Sequence, residues 1–572
     1  MIRQEITELI KKGLDTLGLK QEDFIIEHPK ELQNGDYSTN IALVVSKTLG
    51  KNPQEFAEEF IKVIEQDKSE QIEKIEIAGP GFINFHLSAK FFENYIKEVI
   101  NQEDGFGFNN NLVGQKTIIE FTDPNPFKEF HIGHLMSNTV GEAISRLAEA
   151  NGAEVKRANY QGDIGLHVAK AVWGMIETRS AFPEDGDSLE DKVNYISNSY
   201  TFGSKQFEVD PQIAEEIKKI NKKLYDKSDA ELQIYYDKGR AWSLEAFEKM
   251  YELLGTKFDY YFYESEIGPF GAQVVLEGLE KNIFEKSDGA VVYKGENDGL
   301  HTRVFINSQG IPTYEAKELG LSKKKSDIYD YDKSIVITGN EIDGYFKVVL
   351  SAMGKIFPDL REKTKHISHG MLRLPEGKMS SRTGDVITAR GIISDINERL
   401  AKKMADRNFS QEELKEISNI LAVSSLKYSI LKQSPGKDIV FDFEKSISFE
   451  GDSGPYLEYT ATRAKSLLHK ALGDSAHSFN VRHPEDWQIN NLEKLLYRFP
   501  EIIEKSYEEL APQQLVVYLT DVASTFNSFY GNEQIIDGSD PNSNYKLALS
   551  EATRVVLENG LKILGIKVPE KM

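Results

Sequence analysis

The feature that most constrains this 572-residue chain is a short apolar strand pattern followed by a two-histidine motif and a helix. The strand pattern runs from Thr117 to Phe121, the motif reads His131-Ile132-Gly133-His134, and the helical pattern covers Leu135 to Ala150. In this order, the first backbone N–H groups of the helix face the space next to the carboxyl end of the strand. Because a helix N-terminus carries partial positive charge and unpaired donors, such a place suits phosphate. The motif therefore predicts a phosphate-binding site in an α/β fold.

A second motif lies far downstream, at Gly377-Lys378-Met379-Ser380-Ser381-Arg382-Thr383-Gly384. It places two basic side chains, Lys378 and Arg382, on a loop rich in glycine and serine. The glycines at both ends favour a clamp that moves during the reaction. Together the two motifs indicate a site that holds ATP by its phosphates and expels pyrophosphate.

The two histidines have a specific expected role. His131 and His134 lie three residues apart, about one helical turn, so both rings can face the same side. Negative charge develops on the phosphates in the transition state. Imidazole donors at that place would therefore stabilise the transition state more than the ground state, which raises the rate. Gly133 between them leaves room for the nucleotide to lie against the backbone.

The two motifs resemble the signatures of class I aminoacyl-tRNA synthetases. Other short sequence segments narrow the resemblance to arginyl-tRNA synthetases. These segments occur in the same order as in the family, over essentially the whole chain: Asp123-Pro124-Asn125 with Lys128, Arg157-Ala158-Asn159-Tyr160-Gln161-Gly162-Asp163, Gly454-Pro455-Tyr456-Leu457-Glu458-Tyr459, Asp521-Val522-Ala523-Ser524 and Val568-Pro569-Glu570-Lys571-Met572. The resemblance implies an arginine–tRNA ligase. Such an enzyme forms arginyl-adenylate from L-arginine and ATP and esterifies the 3′-terminal ribose of tRNA(Arg), releasing AMP and pyrophosphate.

The resemblance also assigns residues to the chemistry of ATP, which is expected to enter with Mg²⁺. The catalytic candidates are His131, His134, Lys128, Lys378 and Arg382. The ATP-binding candidates are His131, Gly133, His134, Met371, Lys378, Ser380 and Ser381. The downstream motif departs from the Lys-Met-Ser-Lys-Ser consensus, because Ser381 replaces the second lysine, although this form recurs in arginyl enzymes. Which of Lys128, Lys378 and Arg382 contributes most to charge stabilisation therefore stays open.

The third expected constellation is an arginine pocket. A guanidinium carries five donors and keeps its proton, so its pocket should offer carboxylates, amides or hydroxyls. Tyr314 and Glu318 are spaced i, i+4 at an expected helix start, which puts them on one face. By family position the arginine-binding candidates are Glu120, Asn125, Glu264, Tyr314, Glu318 and Glu341.

Two of these candidates depart from the family pattern. Glu318 stands where an aspartate is common, and Glu341 stands where a glutamine is common. Both keep acceptors for a cation, so the expectation of arginine survives. Gln161 and Asp163 follow an expected strand at its carboxyl end, where doubly wound folds bind ligands. We expect them to contact the arginine α-amino group or the ribose.

The chain is long enough for several domains, since single cores rarely exceed about 250–300 residues. Residues 1–110 read as an N-terminal α+β domain that, by resemblance, touches the tRNA elbow. Residues 111–395 alternate strands and helices, which predicts a Rossmann-type, doubly wound parallel sheet with an insertion at about 175–265. Residues 396–572 read as an all-α anticodon-binding bundle. The expected strands of the catalytic domain are 117–121, 155–160, 290–293, 302–306, 334–338 and 366–372.

Composition limits the class of protein. The chain has no cysteine, which excludes disulfides and thiolate metal sites, and its histidines show no spacing typical of a structural metal. No run approaches the roughly 18 apolar residues that a membrane span needs, so we expect a cytoplasmic enzyme without structural metal, and the resemblance implies a monomer.

The formal net charge is −22, but RNA contact needs only local basic surface. Arg463, Lys465 and Lys470 could supply it or form a merely solvated helix face.

Two other classes of function compete with the ligase. A small-molecule nucleotidylyltransferase shares the two-histidine start and the phosphate chemistry, but it would need neither the N-terminal domain nor the long helical C-terminus. A non-catalytic RNA-binding relative should have lost the signature histidines or the cationic loop, and both are intact in this sequence.

Overall fold

A computed structural model describes residues 2–20, 23–374, 388–473 and 481–572 of the chain. The N-terminal part is an antiparallel sheet of order β1-β2-β4-β3 with helices packed on it. Gly79 and Gly81 have φ values of 53° and 132° and make the turn between β3 and β4. Its elements are α1 (Ile2–Thr16), β1 (Ile26–Glu27), β2 (Tyr37–Thr39), α2 (Ile41–Leu49), α3 (Pro53–Ile64), β3 (Ile72–Ala78), β4 (Phe82–Leu87) and α4 (Ala89–Gln102).

The central part contains a five-stranded parallel sheet. Its elements are β5 (Lys116–Glu120), α5 (Ile132–Ala150), β6 (Glu154–Gln161), α6 (Leu166–Glu177), α7 (Leu189–Val209), α8 (Pro211–Asp226), α9 (Ala230–Leu254), β7 (Tyr260–Tyr263), α10 (Glu264–Glu280), β8 (Glu285–Ser287), β9 (Ala290–Tyr293), β10 (Arg303–Ile306), α11 (Tyr314–Ile328), β11 (Lys333–Gly339), α12 (Asp343–Ile356), α13 (Pro358–Lys363), β12 (Thr364–His369), β13 (Leu372–Arg373) and α14 (Ala389–Lys403). The strand order is β12-β11-β5-β6-β7, and every neighbouring pair is parallel. The expected doubly wound fold is confirmed. The chain reverses its direction of winding between β5 and β11, and ligands bind at such a switch point.

The C-terminal part is almost wholly helical, as expected. Its elements are α15 (Gln411–Leu431), β14 (Ile439–Val440), α16 (Phe443–Ser446), α17 (Gly454–Leu472), α18 (Asn491–Leu496), α19 (Phe499–Glu508), α20 (Gln513–Asn532) and α21 (Ser543–Ile563). Helices α18 and α19 are separate, because Pro500 cannot continue a preceding helix and instead lies in the first turn of α19. No helix in the described ranges is long and apolar enough to cross a bilayer.

Three details of the sheet differ from the sequence prediction. The expected strands 290–293 and 302–306 form β9 and β10 of a separate antiparallel sheet with β8. Asp288 and Gly289 have φ values of 47° and 80° and reverse the chain between β8 and β9. The fifth parallel strand is β7, which lies inside the segment expected as an insertion. The expected strand 366–372 is interrupted, because β12 ends at His369 and β13 pairs with β14 instead.

The hydrophobic core does not follow the expected boundary between catalytic domain and helical bundle. Leu135 on α5, Leu457 on α17 and Val556 on α21 are fully buried members of one continuous cluster. The N-terminal domain has a separate core, whose buried members come from residues 2–92 and Tyr497. The helix that carries the two-histidine motif is therefore packed directly into the C-terminal bundle.

One carboxyl group in this bundle is buried without a cation in the described part of the chain, so we expect it to make stability depend on pH. Glu458 on α17 is fully buried, and its Oε2 accepts a hydrogen bond from Ser424 Oγ at 2.6 Å. Its Oε1 has no partner within the described residues. Burial raises the pKa of Glu458 well above its ordinary value, and the hydrogen bond from Ser424 only partly opposes this. The folded protein therefore holds a proton here that the unfolded chain releases.

We expect Glu458→Gln to raise the free energy of unfolding. Below about pH 4.3, where a free glutamate is protonated, the gain should vanish. Above that pH it should grow by about 1.4 kcal/mol per pH unit until the folded carboxyl ionises. Urea unfolding of both proteins at acid and neutral pH measures this difference. An equal pH dependence in the two proteins would contradict the assignment, and Ser424→Ala, which removes only the hydrogen bond, is the control.

Candidate active site

The candidate active site is a cleft at the carboxyl ends of the parallel strands. Glu120 ends β5, Glu264 follows β7, and Gly339 ends β11. Three strands therefore place side chains or backbone in the cleft. The cleft brings together the two histidines, Gly133 and all six arginine-binding candidates. The residues that line it among those candidates are Glu120, Asn125, His131, Gly133, His134, Glu264, Tyr314, Glu318 and Glu341.

The two histidines cap the N-terminus of α5 with each other's help. The Nδ1 atom of His131 accepts the backbone N–H of Gly133 at 3.1 Å, and the Nδ1 atom of His134 accepts the backbone N–H of His131 at 3.2 Å. The rings stack with centroids 3.6 Å apart and planes inclined by 21°. Both Nδ1 atoms act as acceptors, so each neutral ring carries its proton on Nε2. Helix capping thus fixes the tautomer in which Nε2 can donate to a ligand.

Both imidazoles are neutral near neutral pH. Burial, with the charge of Lys128, lowers the pKa of His131 to about 4. Burial also lowers the pKa of His134 well below its ordinary value, helped by the neighbouring His131. The site therefore offers hydrogen-bond donors rather than permanent cations, and any positive charge for the phosphates must come from elsewhere.

Gly133 has a structural role beyond leaving room for the nucleotide. A Cβ atom at this position would lie 3.0 Å from Cε1 and 3.1 Å from Nδ1 of the His131 ring. A side chain would therefore crowd the ring that caps the helix. The glycine is needed for the arrangement of the two histidines as well as for the expected approach of the nucleotide.

The loop between β5 and the histidines has a strained backbone. Thr122, Asp123 and Phe127 have φ values of 80°, 46° and 68° without being glycine. Such residues cost about 1–3 kcal/mol each and cluster at functional sites. Helix α5 holds the strained turn: the Thr122 N–H donates to Ser137 Oγ at 2.9 Å, and Asn138 Nδ2 donates to Thr122 Oγ1 at 3.0 Å. The strain directs the loop's carboxylate and amide into the cleft.

Two of the candidate carboxylates are already paired with buried lysines. Lys325 Nζ lies 2.5 Å from Glu120 Oε2, and Lys317 Nζ lies 2.6 Å from Glu264 Oε2. Burial opposes the charge on both lysines, but the paired carboxylates outweigh it, so the pKa values of Lys317 and Lys325 are raised. Glu120 and Glu264 are therefore less able to neutralise a bound cation than the sequence suggested.

Glu318 and Asp123 are carboxyl groups of the cleft without a lysine of their own among the described residues. Within the described part of the chain, Glu318 has no ion pair. Burial raises its pKa well above the ordinary value, and the neighbouring carboxylates Glu120 and Asp123 raise it further. The pKa of Asp123 is raised by the same two causes, burial and Glu120. Among the residues that the structure describes, these three carboxyl groups share one compensating lysine, Lys325.

The remaining arginine candidates form the walls of the cleft. Tyr314 begins α11 one turn before Glu318, so the expected i, i+4 pair on one helix face is confirmed. Asn125 packs so closely against Gly162 that a Cβ on that glycine would lie 2.2 Å from Asn125 Oδ1. Glu341 is exposed at the rim, where its charge opposes the lowering of the His131 pKa.

Several expected residues lie elsewhere. Lys128 is not part of the cleft wall, and its ammonium lies 5.3 Å from the ring centroid of Tyr200 on α7. Met371 is 45% exposed, and its backbone N–H donates to Asp438 Oδ1 at 2.9 Å. The downstream basic motif, with Lys378, Ser380, Ser381 and Arg382, lies outside the described residues.

Gln161 and Asp163, which we expect to contact the arginine α-amino group or the ribose, are both buried and bonded to protein groups. Asp163 is fully buried, and its Oδ2 already accepts from Arg240 Nε at 2.9 Å, while its Oδ1 accepts the Ser265 N–H at 2.9 Å. Gln161 is also buried, and its Nε2 donates to Tyr251 OH. Asp163 instead fixes α9 to the start of α10, the position from which Glu264 enters the cleft.

Three residues of the cleft are not among the candidates that the sequence predicts. Asp123 belongs to the Asp-Pro-Asn segment that carries the family resemblance but is not a predicted arginine-binding residue. Its position directly after a strand, as a carboxylate, indicates that it could line the site. His369 ends β12 and lies near both motif histidines, so the strand pattern could have found it. Arg303 comes from the antiparallel sheet and lies 3.6 Å from Glu315; no pattern in the sequence indicated that it lines the site.

Comparison with known families covers the chain from end to end. The family described as "Arginyl tRNA synthetase N terminal domain" matches residues 2–87. The family described as "tRNA synthetases class I (R), catalytic domain" matches residues 96–443, and the "DALR anticodon binding domain" matches residues 457–572. The two flanking matches favour a tRNA ligase over a small-molecule nucleotidylyltransferase.

Individual relatives agree over the full length. The arginine–tRNA ligase of Clostridium kluyveri is 31% identical over 99% of both chains. The arginine–tRNA ligase of Fusobacterium nucleatum is 31% identical over 100% of this chain and 99% of its own. The solved arginyl-tRNA synthetase of Thermus thermophilus covers 100% of both chains with a TM-score of 0.81 at 23% identity, which shows the same fold. This chain therefore belongs to the arginyl-tRNA synthetase family of class I tRNA synthetases.

Proposed function

We propose that this protein is an arginine–tRNA ligase that activates L-arginine with ATP and transfers it to tRNA(Arg). The observation that carries the substrate assignment is the carboxyl cluster of Glu120, Asp123 and Glu318 in the cleft, for which the described part of the chain supplies one paired cation, Lys325. A guanidinium is a permanent cation with planar donors, so it supplies the missing charge and can bond two carboxyl oxygens at once. Full-length similarity to arginine–tRNA ligases supports the same substrate.

In the first step an arginine carboxylate oxygen bonds to the α-phosphorus of ATP while the bond to pyrophosphate breaks. ATP enters as its Mg²⁺ complex. The Nε2–H groups of His131 and His134 donate to the phosphate oxygens as negative charge develops on them. Because the rings are already fixed by capping, they need no rearrangement to do so. By resemblance, Lys378, Arg382 and Lys128 supply the positive charge that the neutral histidines cannot.

In the second step a hydroxyl of the terminal tRNA ribose attacks the carbonyl of arginyl-adenylate, and AMP leaves. The esterified product is arginyl-tRNA. We propose that the N-terminal domain, residues 1–110, contacts the tRNA elbow and that residues 396–572 bind the anticodon arm. On α17, Arg463 lies 4.7 Å from the ring centroid of Tyr459 and 5.1 Å from that of Tyr530. Such aromatic and cationic surfaces suit splayed single-stranded bases. We also expect a monomer in solution.

Pyrophosphate exchange with each amino acid in turn, with and without tRNA, tests the proposed function. The family resemblance predicts exchange with arginine only, and only when tRNA(Arg) is present. Exchange with another amino acid would refute the substrate assignment. Robust exchange with arginine and ATP alone would refute the tRNA requirement while leaving the substrate intact. Reactions without the protein are the blank.

A further inference from the structure

His369 is a third histidine of the cleft and has no part in the steps proposed above. It ends β12, where it is paired in parallel register with Gly339 at the end of β11. Its side chain is 5% exposed and lines the cleft. Besides burial, the neighbouring His369 contributes to the lowered pKa of both His131 and His134. The three imidazoles are therefore close to one another.

A backbone carbonyl fixes the tautomer of this third imidazole. The Nδ1 atom of His369 lies 2.7 Å from the carbonyl oxygen of Gly370. A carbonyl oxygen can only accept a hydrogen bond, so Nδ1 carries the proton and Nε2 of the neutral ring is an acceptor. Burial lowers the pKa of His369, although the bond to Gly370 opposes this, and the ring therefore stays neutral near pH 7.

The acceptor atom of His369 has no partner within the described ranges, where the bond to Gly370 is the one hydrogen bond that this side chain forms. A polar atom of a buried side chain is rarely left without a partner, so Nε2 indicates a donor from outside the chain. The Nε2 atoms of His131 and His134 carry protons and donate. The described part of the cleft thus combines two imidazole donors with one imidazole acceptor.

The position of His369 on the sheet indicates which part of the substrates it meets. Strand β5 has β6 and β7 on one side and β11 and β12 on the other. Glu120 ends β5 and Glu264 follows β7, so the guanidinium of arginine should lie on the β7 side. The arginine carboxylate then points toward the histidines at the start of α5, where it meets the α-phosphate. The remainder of ATP extends from there over β11 and β12.

Two parts of ATP leave the α-phosphate, the nucleoside and the pyrophosphate, and the nucleoside fits this side of the cleft better. The described lining residues here include no cation, and Glu341 is an acid that repels phosphate. Along the nucleotide, the ribose follows the α-phosphate directly and adenine lies beyond it. Ribose hydroxyls are neutral donors. The lining residues from β11, the turn after it and β12 are Ile337, Thr338, Gly339, Glu341, Ile342 and His369.

We propose that His369 is a substrate-binding residue whose Nε2 accepts a hydrogen bond from a hydroxyl of the ATP ribose. The inference rests on the proposed function, because the phosphate site at His131 and His134 is its reference point. The contact makes the site selective for a ribonucleotide, since a deoxynucleotide without the bonded hydroxyl leaves Nε2 unpaired. The terminal ribose of tRNA offers the same chemistry, but the nucleoside of ATP has to lie on the His369 side of the sheet.

Binding of ATP to the full-length protein tests this contact without arginine and tRNA, so that no reaction takes place. His369→Phe keeps a ring but removes the acceptor. His369→Gln places an amide oxygen near the position of Nε2 and should restore part of the affinity. The matched control is His301→Phe, at an exposed histidine outside the cleft. The ligands are ATP, 2′-deoxy-ATP, 3′-deoxy-ATP and inosine triphosphate, which lacks the adenine amino group.

His369→Phe should bind ATP about 3–10-fold more weakly than the wild type, the range expected for one hydrogen bond. The wild-type protein should lose a similar factor with one of the two deoxy analogues. The variant should bind that analogue as well as it binds ATP, because the bond is already absent. Loss of the bond to Gly370 affects ATP and its analogues alike, so it cannot produce this pattern. His301→Phe should match the wild type with every ligand.

Four results would overturn the proposal. Equal ATP affinity of the wild type and His369→Phe would exclude the contact. Independent losses from the substitution and from both deoxy analogues would show that His369 acts only through the fold. A coupling with inosine triphosphate instead would assign the acceptor to adenine. Unchanged ATP affinity combined with slower transfer of arginine to tRNA would assign it to the tRNA ribose.

Failure of the proposed function has a different signature. Wild-type protein that binds ATP through His369 but does not charge tRNA with arginine would contradict the ligase assignment and leave this contact standing.

Discussion

Alanine at His134 is expected to slow adenylate formation by about 10²–10³-fold, because one lost donor to a developing oxyanion costs about 2.7–4 kcal/mol. The Nε2–H of His134 is fixed toward the cleft by the hydrogen bond that its Nδ1 accepts. The affinity for arginine should change far less, since the ring acts on charge that appears only in the transition state. Single-turnover formation of the adenylate in the presence of tRNA measures the effect.

His131 serves both as a helix cap and as a donor, and two substitutions separate these roles. His131→Ala removes both, so it should lose the rate and also about 1 kcal/mol of stability. His131→Asn keeps a side chain that caps helices well but lacks the Nε2 donor, so its stability should be near that of the wild type while its rate stays low. Near-normal turnover in the His131→Ala, His134→Ala double variant would refute the catalytic role of the pair.

Glu318→Gln should weaken the use of arginine strongly and leave ATP binding nearly unchanged. Glutamine keeps the shape of the glutamate side chain and one hydrogen-bond acceptor, but it removes the negative charge that pairs with the guanidinium. Removing one partner of a buried charge pair costs about 2–5 kcal/mol, equivalent to roughly 30-fold or more in KM or Kd. Steady-state kinetics for both substrates measure the effect. The matched control is Glu362→Gln, an exposed glutamate outside the cleft, and arginine kinetics there should stay close to wild type.

The same residue should make arginine binding depend on pH. Burial and the nearby carboxylates raise the pKa of Glu318 in the free site, so the free site tends to hold a proton. A guanidinium favours the carboxylate, and its binding should therefore release that proton. Affinity for arginine should rise with pH, by at most about tenfold per unit, until Glu318 is ionised in the free enzyme. An equally steep dependence in Glu318→Gln would show that another group binds the guanidinium.

The sequence was most informative where a local pattern has one structural solution. The strand, the two histidines and the helix after them form β5, a capped N-terminus and α5 as expected. The spacing of Tyr314 and Glu318 likewise predicted a shared helix face, because the helical repeat alone decides it. The substrate candidates that family position supplied converge in the cleft as well.

The rest depended on contacts between distant segments. Nothing near Glu120 or Glu264 in the chain indicates that Lys325 and Lys317 neutralise them, since those lysines come from another helix and look like solvated surface. The strand at Tyr260–Tyr263 lacked a polar–apolar alternation, so it was assigned to the insertion. Strands 290–293 and 302–306 had the right residues for a sheet, but pairing partners are a tertiary property that strand composition does not contain.

The single core that joins α5 to the C-terminal helices limits which parts of this enzyme can be exchanged with those of relatives. An N-terminal segment with a core of its own can be grafted from another family member if the surface around Tyr497 is matched. A foreign helical bundle cannot be attached in the same way, because its inner face would also have to fit the helix that begins at His131 and His134. Selection on anticodon recognition and selection on catalysis therefore act on one packed interior, and substitutions in either are expected to covary.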